Sequence, residues 1–134
     1  YMRSDGSVEI KHVFLRFGVH HSRVDNLSIG GQCIEFDAFG KPSEWSYDDY
    51  GFKICDRHPE TGFLFSDVKI PMFDKMLDKC REGHRKYPYI RLIGWDVCIT
   101  VTGEPKLVEW NARNPDFWTH EALKGPIFQA GIDF

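Results

Sequence analysis

"GWDVCITVTGEPKLVEWNARNPD", residues 94–116, holds two apolar stretches around a Gly-containing turn and reads as an antiparallel hairpin. With Gly103-Glu104 at the middle of the turn, Asp96 falls opposite Asn111 and Cys98 opposite Glu109. Side chains alternate along a strand, so Asp96, Cys98, Glu109 and Asn111 share one face. Val97, Ile99, Val101, Val108 and Trp110 share the other, which is apolar and is expected to meet the core. Directly opposed residues have Cβ atoms about 4.5–5.5 Å apart, so two carboxylates and one amide oxygen converge on one patch. Three hard oxygen donors suit Mg²⁺, which keeps several waters and is usually completed by substrate phosphates. Cys98 is a soft thiol and a poor partner for such an ion. The same alternation is also what a merely solvated sheet face produces. The register depends on an even-numbered loop; a three-residue loop with a bulge would move it.

The remainder of the chain sets the frame for that hairpin. A length of 134 residues suits one domain over residues 1–134. With 42% hydrophobic and 28% charged residues, the composition is that of an ordinary globular protein. Net charge is −3 and no segment concentrates Lys or Arg, so the sequence does not point to a nucleic-acid partner. No apolar run approaches the ~18 residues of a membrane span. Cys33, Cys55, Cys80 and Cys98 form no C-x2-C pair, which favours reduced thiols and a cytoplasmic location. The chain begins at Tyr1 rather than Met and reads as part of something longer.

Residues 8–19 are rich in β-branched and aromatic side chains and predict a strand. A polar loop follows, including the His20-His21 pair, with an exposed position or a phosphate contact as its two readings. "IGGQCIEFD" then resumes with period two, Cys33 and Glu35 on one face and Ile34 and Phe36 on the other. Gly30-Gly31 runs into a strand rather than a helix, so it predicts a bulge or a close backbone approach, not a phosphate loop. From Pro71 the period changes. Phe73, Met76, Leu77 and Cys80 form the apolar stripe of a helix that should end between Cys80 and Lys86. "NPDFWTHEALKG" predicts a final helix with Asn114 as cap, Pro115 at its first position and Gly125 as its stop. Strands first and helices late predict an α+β class, an antiparallel sheet with helices on one side.

Taken together, "GWDV" and "GEPKLVEWN" resemble the end of the ATP-grasp fold, where an acidic residue on one strand and Glu-x-Asn on the next hold Mg²⁺. "FLRFG", "VDNLSIGG", "HPETG" and "IPMF" follow the order seen in the ATP-grasp proteins associated with sugar transfer and polysaccharide biosynthesis. The resemblance spans most of residues 8–125. It implies that Asp96, Glu109 and Asn111 are ligands of Mg²⁺ or Mn²⁺ in an ATP-dependent enzyme. Arg16 then stands where the family has an Arg facing the nucleotide phosphates or the acyl-phosphate, and is the implied catalytic residue. Asp25, Asn26, Gly30, Gly31 and His58 match motif positions on the cofactor and substrate side. A simple ion pair of Arg16 with Glu9 or Glu35 is the structural alternative for that residue.

What the resemblance implies for activity is a ligase of the carboxylate to acyl-phosphate type, the acyl-phosphate then being attacked by an amine or thiol. ATP and a small-molecule carboxylate or sugar-linked compound are the implied partners. The usual nucleotide-binding lysines and glycine-rich loop do not precede Arg16, so the chain resembles the C-terminal half of the fold. Its N-terminal half is then expected upstream or on a partner. A catalytically inactive remnant that binds sugar or protein is the alternative role.

Overall fold

A computed structural model describes residues 1–19, 22, 24–113, 115 and 117–128. The described chain is α+β, with antiparallel pairing throughout. Strand β1 (Val13–Phe17) pairs with β2 (Gln32–Phe36), helix α1 (Phe73–Arg85) follows, β3 (Gly94–Ile99) pairs with β4 (Pro105–Asn111), and α2 (Trp118–Lys124) comes last. The strands form two separate two-stranded sheets rather than one continuous sheet. The chain divides into two compact units, and each carries one of these hairpins.

The first unit holds residues 1–11 and 70–117, with a short return from Ile127. Its helix α1 buries Met76, Leu77 and Cys80, the stripe that the 3.6-residue period predicts. His84 extends that stripe by one more turn at 1% exposure, and its Nε2 meets the Ile90 carbonyl at 2.8 Å. Burial holds the His84 imidazole below its usual pKa, so neutrality fits this site. The helix runs to the far end of the predicted window, with Lys86 as its C-cap. Gly83 does more than weaken the last turn. A Cβ there would lie 3.1 Å from the Trp95 ring and 3.2 Å from Leu107 Cδ1, so its absence allows α1 to lie directly on β3 and β4.

The second unit comprises residues 12–69 and 118–126. Strand β1 is shorter than the apolar run at 8–19, and β2 is covered on both faces: Cys33 and Ile34 are fully buried and Phe36 nearly so. Beyond β2, Cys33 bridges to Tyr47 and Tyr47 to Lys53, extending the antiparallel pattern outward. Helix α2 starts at Trp118, three residues later than Pro115 suggests, and stops before Gly125 at φ +84°. The expected cap Asn114 and the His20-His21 pair lie outside the described residues.

Candidate functional site

The hairpin of the first unit closes by a three-residue loop, Val101 to Gly103, and not by an even one. The amide of Thr100 donates to the Glu104 carbonyl at 2.9 Å, the amide of Gly103 to the Thr100 carbonyl at 2.9 Å, and Gly103 takes φ +82°. The ladder leaves this turn with Ile99 opposite Pro105, Cys98 opposite Lys106 and Val97 opposite Leu107. It then shifts by one residue between Asp96 and Val97, leaving Val108 unpaired as a bulge. Beyond the bulge Asp96 stands opposite Glu109, Trp95 opposite Trp110 and Gly94 opposite Asn111.

Two consequences follow for the expected faces. Cys98 pairs with Lys106 instead of Glu109, and Asp96 with Glu109 instead of Asn111. The shift at the Asp96 end is two residues, which preserves the alternation, so Asp96, Glu109 and Asn111 still share one face. On the other face the odd shift changes membership. Val108 is 65% exposed and Val101 lies fully exposed in the turn, so neither is core. Leu107 takes the inward position against α1 and Pro105 is buried at the start of β4, where a missing N–H is tolerated. Trp110 lies between Tyr87, stacked at 4.5 Å, and Trp95 at 6.3 Å.

The donor chemistry of the polar face fits a hard cation. It offers two carboxylates and an amide, with the thiol of Cys98 placed against Lys106 farther along the ladder. Among the described residues no three His, Cys, Asp or Glu side chains converge on one point. A set of this kind leaves coordination positions for water and phosphate oxygen rather than enclosing the ion.

The second unit gathers most of the remaining candidates into one corner. Arg16 Nε lies 3.5 Å from Asp25 Oδ2, so its carboxylate neighbour is Asp25 rather than Glu9 or Glu35. Glu9 is taken by Arg3 at 2.6 Å and Lys11 at 2.9 Å, and Glu35 by His12 and Lys124. Asn26 caps the short 3-10 turn Leu27–Ile29 by accepting from the Ser28 amide, and Gly30 ends it at φ +93°. Gly31 follows where a Cβ would be 2.6 Å from the Asp25 carbonyl and 2.8 Å from that of Asn26. Here the close backbone approach predicted for the glycine pair is met. Asp25, Asn26, Gly30 and Gly31 are therefore one tight knot that sets the loop beside Arg16. His58 lies against Phe17, ring centroids 5.4 Å apart, and its Nδ1 accepts from the Glu60 amide at 3.3 Å within the "HPETG" turn.

A family model described as sugar-transfer associated ATP-grasp matches residues 1–128. The chain belongs to this family. No curated protein and no solved structure matches it. Membership accounts for the order of the quoted motifs, and the α+β architecture is consistent with part of an ATP-grasp fold. No helix among the described residues is long and apolar enough to cross a membrane.

One cluster in this ATP-grasp chain escapes sequence reading. His12 and Glu35 side chains are only 7% and 12% exposed, with Nε2 and Oε1 2.8 Å apart, and the His120 ring sits 4.8 Å from that of His12. The 2.8 Å approach is short but poorly directed, so both nitrogens of His12 lack an aligned hydrogen-bond partner. Burial pulls the Glu35 carboxyl upward, but His12 and Lys124 outweigh it and hold the group below its usual range. Burial, with His12 beside it, pushes His120 down. Burial, with the Glu35 carboxylate near it, pushes the Cys33 thiol up to about 12 and favours its protonated form at neutral pH. Three polar residues spread over 108 positions carry no spacing signal, and only the pairing of β1, β2 and α2 brings them together.

Proposed function

We propose that this chain is the metal-bearing half-domain of an ATP- and Mg²⁺-dependent ligase acting in cell-surface polysaccharide or sugar-transfer biosynthesis. The observation that carries the reading is the shared face of Asp96, Glu109 and Asn111, turned from the face that packs on α1. Asp96, Glu109 and Asn111 would hold Mg²⁺ or Mn²⁺, which would there neutralise charge on a transferring phosphoryl group. Arg16 would bind phosphate or acyl-phosphate oxygens through its fork of N–H donors, with Asp25 holding the guanidinium in place. Asn26, Gly30 and Gly31 would shape the loop that presents Asp25, and His58 would orient the turn beside Phe17. The acceptor side is a small-molecule carboxylate or sugar-linked compound, in keeping with the sugar-transfer association of the family.

The reading is tested by Mn²⁺ titration followed by electron paramagnetic resonance in the presence of ATP. Binding no tighter than roughly millimolar is expected for this half-site alone. Asp96→Asn and Glu109→Gln should each abolish it while the circular dichroism spectrum stays unchanged. Equal Mn²⁺ binding by both variants and the parent would overturn the assignment.

A further inference from the structure

Helix α2 meets the rest of its unit through two contacts of different chemistry. At Gly51 a Cβ would lie 2.9 Å from the Ala122 carbonyl oxygen and 3.2 Å from Ala122 Cβ, so the helix backbone rests directly on that turn. No titrating group takes part there. The second contact is made by His120 and Lys124, four residues apart and therefore on one face of α2. The His120 ring sits 4.8 Å from that of His12, and Lys124 Nζ lies 3.6 Å from Glu35 Oε1. His12 Nε2 approaches the same Glu35 oxygen at 2.8 Å, so two basic groups already crowd it. Nδ1 of His120 and both ring nitrogens of His12 are buried with no hydrogen-bond partner among the described residues. Glu35 stands opposite Phe14 and Cys33 opposite Arg16, so the face on which α2 lies also carries Arg16.

We propose that this cluster is an acid-released latch: protonation of His120 frees α2 from the β1–β2 hairpin and uncovers the face that carries Arg16. A neutral ring is tolerated in this place. A charged one would be a cation without an aligned acceptor, set beside a second imidazole and Lys124. Glu35 and, on the helix itself, Glu121 favour the charged ring, but burial, then His12 and Lys124, outweigh them and hold His120 below its usual pKa. The lifted helix returns His120 to water and to its ordinary proton affinity. Acid therefore favours the lifted state, with the effect growing as pH drops through about 6.5. The latch does not depend on the phosphate role proposed for Arg16.

Amide hydrogen exchange of the intact chain at pH 7.5 and 5.5 tests this, with rates expressed as protection factors. Protection across residues 118–124 should fall at least about threefold on acidification, beyond any fall in β2 of the same unit. His120→Gln keeps a polar side chain without a titrating ring and should abolish the difference. Glu35→Gln removes a carboxylate that favours the charged ring and should enlarge it. Gly51→Ala crowds Ala122 and should lower α2 protection by the same factor at both pH values. Equal falls in α2 and β2 of the parent chain would overturn the proposal, whatever the variants do. An undiminished fall confined to α2 in His120→Gln, with circular dichroism unchanged, would overturn it as well.

Discussion

Asp96 stands directly opposite Glu109 across the β3–β4 ladder, one residue from a bulge at Val108. Two carboxylates in this position add no packing to the core. Their juxtaposition is costly for a metal-free hairpin, because like charges directly opposed in a sheet repel. Glu109→Gln should therefore leave stability unchanged or raise it by a few tenths of a kcal/mol. Chemical denaturation should register that, and Mn²⁺ binding at the proposed metal face should be lost. A Glu109→Gln variant that unfolds would place this side chain in the core and remove the basis of the metal face.

The bulge separates two neighbours that a plain alternation would rank the other way. Leu107→Ala should cost about 2 kcal/mol, since it meets α1 at Gly83. Val108→Ala should stay within about 0.5 kcal/mol, since Val108 is solvent-exposed. Urea midpoints of the two variants check the assignment, and the reverse order would mean that the ladder lacks its bulge.

At Gly31 the obstacle is backbone, not a movable side chain. Gly31→Ala should destabilise by more than about 2 kcal/mol, because two carbonyl oxygens lie within 3 Å of the new Cβ. Gly30→Ala meets open space and has only its positive φ against it, roughly 1 kcal/mol. Thermal unfolding of the pair should show Gly31→Ala melting well below Gly30→Ala.

Two imidazoles, His84 buried and His120 half-buried, contribute to the acid response. Burial lowers the folded-state pKa of both His84 and His120, so the unfolded chain binds more protons around pH 6.5. Stability from these groups is present above that pH and falls as pH drops below it toward the folded values. Denaturant midpoints measured between pH 7.5 and 5 should decline, and a His84→Gln, His120→Gln double variant should flatten the decline. An unchanged slope in that variant would assign the acid response to other groups.

Half-exposed Arg16 and exposed Asp25 lie 3.5 Å apart, and a pair of that kind contributes less than about 1 kcal/mol. Arg16→Ala should therefore leave the melting temperature almost unmoved. If Arg16 binds phosphate, the same change weakens ATP binding by the complete enzyme, and Arg16→Lys recovers only part of it. Unaltered nucleotide binding in Arg16→Ala would reduce the residue to its local ion pair.

The sequence by itself determined the class and the polar side of the β3–β4 hairpin. Apolar recurrence at 3.6 residues marks α1 from Phe73, and the period-two alternation of Glu109 and Asn111 keeps them together on any hairpin of that parity. These are local properties, fixed by the spacing of residues along one element. Tertiary structure alone decided the register. A glycine at positive φ gave a three-residue loop, and packing of Leu107 under α1 pushed Val108 out as a bulge, neither of which alternation encodes. It also decided why Gly83 is a glycine, why His84 is buried, and why His12, Glu35 and His120 meet. Each of those depends on which distant segment arrives at a surface, and only the folded chain brings the segments together.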